Sequence, residues 1–139
     1  MTATKPQPNN IPLPIPTAVS QPYWEACKRR ELTFQRCADC EGITFLPQPA
    51  CMHCLSPNLM WEKGQGKGAV YSWTVVWRPQ TPAFEIPYAI AIIDMDEGYR
   101  MMTNIIGIDP EKLEVGTRVE VEFHDMNDEI ALPYFRPTA

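Results

Sequence analysis

Histidine is nearly absent from this chain. His53 and His124 are the only two in 139 residues, and they lie far apart in sequence. Because histidine is the commonest general base, that scarcity leaves little material for a relay. Glycine is also sparse, at seven residues, and its one cluster, Gly64-Gln-Gly-Lys-Gly68, matches no phosphate-binding fingerprint. No Ser or Thr follows its Gly-Lys, and no G-x-G-x-x-G run is present. It reads as a hinge or bulge between two parts of the chain. Positive charge is in deficit, with 12 Lys and Arg against 17 Asp and Glu and a formal charge of −5. Such a body does not attract a phosphate backbone over its whole surface. No stretch is apolar for long enough to span a membrane, and no charged segment followed by an apolar run opens the chain. A cytoplasmic protein that does not contact a membrane is expected.

What the chain does have is cysteine in a pattern. Cys37-x-x-Cys40, ten residues, then Cys51-x-x-Cys54 is the spacing of two turns that bring four sulfurs to the corners of a tetrahedron. Residues 32–64 are therefore expected to form a rubredoxin-like zinc ribbon, with Cys37, Cys40, Cys51 and Cys54 as ligands. A closed four-thiolate site leaves no position for substrate, so the zinc would hold structure. Disulfide pairing or thiol redox chemistry is the competing reading, disfavoured by the two matched pairs and by the expected reducing compartment. A ribbon this small cannot bury enough surface unaided, and the metal would supply its folding energy. His53, inside the second turn, could replace a cysteine but is expected to decorate the surface.

Residues 1–19 carry five of the fifteen prolines, including Ile11-Pro-Leu-Pro-Ile-Pro16. Proline fixes φ and donates no backbone hydrogen bond. A mobile tail is expected, the alternative being an arm that lays Ile11, Leu13 and Ile15 on a partner. A short amphipathic helix is predicted over 20–31, capped by Ser20, with Tyr23, Trp24 and Cys27 on one side. Cys27 is expected to be a packed thiol.

Strands are predicted at 32–36 and 43–46 in the ribbon. From residue 65 to 139 the pattern is β throughout, with strands at 69–77, 88–95, 101–106, 118–123 and 131–135. A helical turn in 109–116 precedes the fourth of these. A mainly β chain ending in a five-stranded Greek-key OB-fold barrel is expected, with a generic β-sandwich as the alternative. By period two, Tyr71, Trp73, Val75 and Trp77 share one face of the first strand. Asp94, Asp96 and Glu97 fail the spacing of a calcium loop and read as a hairpin turn. His124 and Asp125, adjacent on a strand, point to opposite faces. No catalytic constellation stands out.

An OB barrel raises a nucleic-acid alternative. Tyr71, Trp73 and Trp77 could stack on bases while Lys63, Lys67 and Arg78 hold phosphates, which the acidic balance disfavours.

Taken in order, the chain reads Tyr23-Trp24-Glu25, Arg36-Cys37-x-x-Cys40, Pro49-x-Cys51-x-x-Cys54 and Gly68-x-Val70-Tyr71-Ser72-Trp73-Thr74-Val75-Val76. Pro87-Tyr88-x-Ile90-Ala91, Thr103-Asn104-Ile105, Val115-Gly116 and Leu132-Pro133-Tyr134-Phe135-Arg136-Pro137 follow. From about residue 20 to 137 this resembles the small zinc-ribbon/OB-fold proteins, once catalogued as a domain of unknown function, that associate with thiolase-type enzymes. The resemblance implies a non-catalytic subunit of a hetero-oligomer. The partner would be a thiolase, an acyltransferase, or a lipid-transfer-protein-like retro-aldolase of steroid side-chain degradation, with acyl-CoA enclosed between the subunits. It carries over the four cysteines as zinc ligands and no catalytic residue. Partner or ligand contact is expected on the long first barrel connection, at Trp77, Arg78, Phe84 and Tyr88, since aromatics and arginine are common interface anchors, with core packing the equal alternative for Trp77 and Tyr88.

Overall fold

The computed structural model describes residues 3–138. Met1, Thr2 and Ala139, the outermost residues of the expected arm and barrel, lie outside them. The architecture is mainly β with one helix near the N-terminus. Helix α1 (Gln21–Lys28) leads into β1 (Thr33–Cys37), which pairs antiparallel with both β2 (Ile43–Thr44) and β3 (Leu59–Lys63). The third ribbon strand, absent from the sequence expectation, pairs Gln35 with Trp61. No helix among the described residues is long and apolar enough to cross a membrane.

The remaining strands close into a barrel in the order β4-β5-β6-β8-β7, as in an OB fold. They are β4 (Lys67–Val76), β5 (Tyr88–Met95), β6 (Arg100–Ile105), β7 (Arg118–Asp125) and β8 (Ala131–Pro137). The closing contacts are the parallel pair Ile105–Phe135 and the antiparallel pair Gly68–Val119. A 3-10 turn at Pro110–Lys112, its first amide capped by Asp109, fills the connection before β7.

Alternation along β4 fails at one place. The register with β5 shifts between Val70 and Ser72, leaving Tyr71 as the extra residue of a bulge. Val70 is buried on one side of the bulge, and Trp73 packs against the core on the other. Tyr71 is thus turned outward, and the common face expected for Tyr71 and Trp73 does not exist. The Gly64–Gly68 segment is a packed crossover and not a loose hinge. Gly64 donates to the Leu32 carbonyl at 2.8 Å, and Gly66 sits at φ +70, where a Cβ would run into Val121.

Two corrections concern the N-terminal part. The proline-rich arm is fastened to the barrel. Gly107 donates its amide to the Thr4 carbonyl at 2.9 Å, Thr4 donates its own to the Ile108 carbonyl at 3.0 Å, and Gln7 donates its amide to the Tyr134 hydroxyl at 3.1 Å. The Gln7 side chain also meets both backbone groups of Glu85, at 3.0 and 2.8 Å. Ile11 packs with Met126 and Ile130, while Ile15 stays exposed. The Ser20 hydroxyl does not cap α1. It bonds back to Thr17, because Pro22 removes a donor that a cap would serve.

Helix, ribbon and barrel share one core. Phe34 and Leu32 of the ribbon and Tyr23 and Cys27 of the helix pack in the same cluster as Val70, Ile93 and Phe135 of the barrel. The Phe34 ring lies 5.2 Å from Tyr99, and Phe45 stacks on Tyr99 at 5.0 Å. Truncating a fully buried phenylalanine costs about 3–5 kcal/mol. Phe34→Ala is therefore expected to lower the melting temperature of ribbon and barrel together in one calorimetric transition. Two separate transitions would show that the core is not shared.

The helix end is held by charge. Arg30 bonds the Asp125 carboxylate at 2.9 and 2.8 Å, Lys28 bonds it at 3.0 Å, and together they hold it well below the usual carboxylate range. A depressed folded pKa stabilises above the unfolded value of about 3.9 and ceases to do so as pH falls through the folded one. Asp125→Asn is expected to lose less stability than the wild type on acidification below about pH 4. Melting temperature measured against pH checks this, and parallel curves would refute it.

Candidate metal centre and the groove beside it

Cys37 ends β1, Cys40 closes the first turn, and Cys51 and Cys54 frame the second. Their four Sγ atoms lie within 4.8 Å of one another. Cys37–Cys54 and Cys40–Cys51 each stand 3.6 Å apart. A disulfide needs ~2.05 Å, so all four are free thiols. A tetrahedron of ~2.3 Å zinc–sulfur bonds has edges of roughly 3.8 Å. Two of the six edges are thus already at about that length.

Backbone amides aim at the sulfurs. Asp39 and Cys40 donate to Cys37 at 3.4 and 3.5 Å, Gly42 to Cys40 at 3.4 Å, and His53 to Cys51 at 3.3 Å. Burial pushes the Cys51 thiol up, but amides of Cys54 and His53 outweigh it and hold the thiol at about 6. Cys54 goes the other way: the Ser56 backbone lowers it, but burial and then the neighbouring sulfurs of Cys40, Cys37 and Cys51 outweigh that and push it up to about 12. Four sulfurs in contact cannot all ionise without a cation among them. A soft, tetrahedral four-sulfur donor set fits Zn²⁺.

The side chains around the sulfurs brace the second turn from two sides. His53 Nε2 donates to the Ile43 carbonyl at 2.9 Å, and Met52 donates its amide to the Thr44 hydroxyl at 3.0 Å. Opposite them, the Asp39 carboxylate accepts from the Ser56 hydroxyl and from Asn58 Nδ2, the latter at 3.0 Å. His53 is outside the sulfur cluster.

Beside the ribbon a groove of about 320 Å³ opens between α1, residues 45–46, the arm, β6 and β8. Trp24, Phe45, Phe84, Met101, Leu132 and Tyr134 make most of its wall, and Gln7, Thr103 and Asn104 are its polar residues. Among the described residues, no charged side chain lines it. Leu46 and Met102 stand on the rim, 65% and 68% exposed.

The four residues expected at a contact surface differ in their surroundings. Phe84 reaches the groove and stacks at 5.9 Å on Tyr88, which is buried. Trp77 and Arg78 are exposed beyond the end of β4. Leu46 and Met102 went unnoticed in the sequence. The available signal was Met102's outward parity in β6, whose burial alternates around it. The base-stacking set also disperses, since Trp73 packs on the core and the Arg100 guanidinium covers the Tyr71 ring at 3.8 Å.

The acidic cluster and the histidine–aspartate pair singled out in the sequence make structural contacts. Asp94 pairs with Arg100 at 2.9 Å, Asp96 with Arg118, and Glu97 accepts from the Gln65 amide at 2.7 Å. His124 contacts Glu122 at 2.5 Å, while Asp125 turns to the helix. Cys27 is fully buried, and burial pushes its thiol up to about 12 against a hydrogen bond from Tyr23.

Comparison with known proteins matches residues 24–59 to the family described as ChsH2, rubredoxin-like zinc ribbon domain. Residues 61–124 match ChsH2, C-terminal OB-fold domain. A probable enoyl-CoA hydratase alpha subunit of Thermomonospora curvata is 42% identical over 115 residues, which cover 83% of this chain and 36% of that protein. The chain thus spans about a third of that relative's length. A DUF35 domain-containing scaffold protein of Methanothermobacter thermautotrophicus is 32% identical, over 73% of this chain and 78% of that one. A solved chain described as Ltp2-ChsH2(DUF35) aldolase superposes with a TM-score of 0.82 at 39% identity, covering 90% of this chain and 98% of that one.

The metal reading predicts one zinc per chain. Structural zinc contributes on the order of 10–16 kcal/mol in isolated zinc-finger peptides. Cys51→Ser is therefore expected to abolish stoichiometric zinc in elemental analysis and to lower the melting temperature. A variant as stable as the wild type and free of metal would refute it.

Proposed function

This chain belongs to the ChsH2-type DUF35 family of zinc-ribbon and OB-fold proteins, and from that premise we propose that it is a non-catalytic accessory subunit of a thiolase-like acyl-CoA enzyme. The partner is a thiolase, an acyltransferase or a lipid-transfer-protein-like retro-aldolase, and it supplies the nucleophile and bases. The observation that carries this reading is the exposed apolar rim of Leu46 and Met102 on an uncharged groove, where ribbon, helix and barrel meet. The scaffold and aldolase descriptions of its relatives support it.

In this reading Cys37, Cys40, Cys51 and Cys54 hold Zn²⁺, which fixes the ribbon and takes no part in the reaction. The ribbon in turn positions Phe45 and Leu46 at the groove. Burying each rim side chain against the partner contributes about 1.5–3 kcal/mol. A groove without Lys or Arg gives no counter-charge to the phosphates of coenzyme A, so these lie on the partner. The apolar wall and the amide of Asn104 suit the acyl or pantetheine portion. Thiolate-held zinc persists in a reducing compartment, which favours the cytoplasm.

The test is co-expression with thiolase-like candidates. A stable complex is expected, and Leu46→Asp and Met102→Asp should each weaken it at least ~10-fold by loss of one buried apolar side chain and burial of a charge. Both variants should melt as the wild type does, since the two residues are exposed. No complex with any candidate, or full assembly of both variants, would overturn the proposal.

A further inference from the structure

Asp39 is not a ligand, yet it bonds to both turns of the metal centre. Its amide donates to the Cys37 sulfur at 3.4 Å. Its carboxylate reaches across to the second turn and accepts from Ser56 and Asn58 through one oxygen, Oδ2. The neighbouring Ala38 amide donates to the Asn58 carbonyl at 2.8 Å, so the tie is double.

What the carboxylate holds is the segment that serves the sulfurs of the second turn. Leu55 lies in the left-handed region at φ +66, as Glu41 does at φ +64 after Cys40 in the first turn, a conformation uncommon for a non-glycine residue. The Ser56 carbonyl that follows accepts from the Cys51 amide at 2.8 Å, and the Leu55 amide returns to the Cys51 carbonyl at 2.9 Å. Release of a metal from four thiolates begins with one sulfur leaving, and Cys40 and Cys54 are the exposed pair. Cys40 belongs to the first turn, which continues directly into the paired strand β2, whereas Cys54 is followed by the bent segment that Asp39 fastens.

We infer that Asp39 is a positioning residue of the metal centre: by holding the Leu55–Asn58 turn against the first turn it keeps Cys54 on the metal and sets how slowly zinc is released. The inference rests on the metal reading of the four cysteines and is independent of any partner. Outer-shell groups of this kind are worth about 10–100-fold in metal affinity.

The experiment measures zinc transfer from the full chain to excess chromogenic chelator, with cobalt-substituted protein read by its sulfur-to-cobalt charge-transfer band. Asp39→Ala is expected to release zinc at least ~10-fold faster and to shift the cobalt band, because the turn that carries Cys54 is no longer held. Asp39→Asn keeps an oxygen able to accept from both Ser56 and Asn58. It should return rate and band toward wild type. Wild-type rate and spectrum in Asp39→Ala would overturn the inference. Equal acceleration in the Ala and Asn variants would also overturn it, by assigning the effect to charge alone. A wild-type chain lacking stoichiometric zinc would overturn the metal reading itself, and is seen before either variant is made.

Discussion

Four sulfur atoms brought within 4.8 Å of one another impose a condition on the whole N-terminal half. As thiols they are poor neighbours, and as thiolates they repel unless a cation sits among them. The chain has already met the steric part of the condition, with two turns, aimed amides and side chains bracing the second turn from both sides. A cation among the sulfurs would meet the electrostatic part and tie the end of β1 to the second turn. Those three strands are too few to bury a core of their own.

That tie matters because the ribbon contributes half of a seam. Phe34 and Phe45 meet Tyr99 of the β5–β6 turn, and Tyr23 of α1 packs edge-on against Phe45 at 5.7 Å. The same Phe45 is a wall of the groove, and Leu46 beside it is the rim. Metal, seam and groove are therefore consecutive along one short segment, and a disturbance at the cysteines reaches the groove through packed aromatic rings.

Much of this was legible in the residues. The paired cysteines announced the ribbon, and alternation in β7 and the Ala/Ile run of β5 placed the barrel to within a residue or two. The failures have separate physical causes. Period two assumes one residue per pleat, and the bulge at Tyr71 breaks that assumption, a shift fixed by pairing with β5 and invisible in β4 alone. Leu59–Lys63 forms a strand because β1 offers it an edge, not because its own pattern alternates strongly. The arm's prolines suggest a tail, but what orders the arm lies elsewhere. Thr4 bonds to Ile105 and Ile108, Gln7 to Glu85 and Tyr134, and nothing local in residues 3–16 reveals those partners. Leu46 and Met102 belong to the same class, because a rim exists only once distant strands are assembled.

The arm's long-range anchoring also imposes an order of events. Gln7 closes on Tyr134, a residue of the strand that completes the barrel, and Ile11 on Met126 and Ile130 just before it. Contacts of such high sequence separation carry their loop-closure entropy before they return anything, so they form late. The groove wall that Gln7, Ile11, Leu132 and Tyr134 build together is accordingly finished last, when the two ends of the described chain come together. A truncated or half-folded copy lacks that wall, so the surface itself distinguishes finished subunits from unfinished ones.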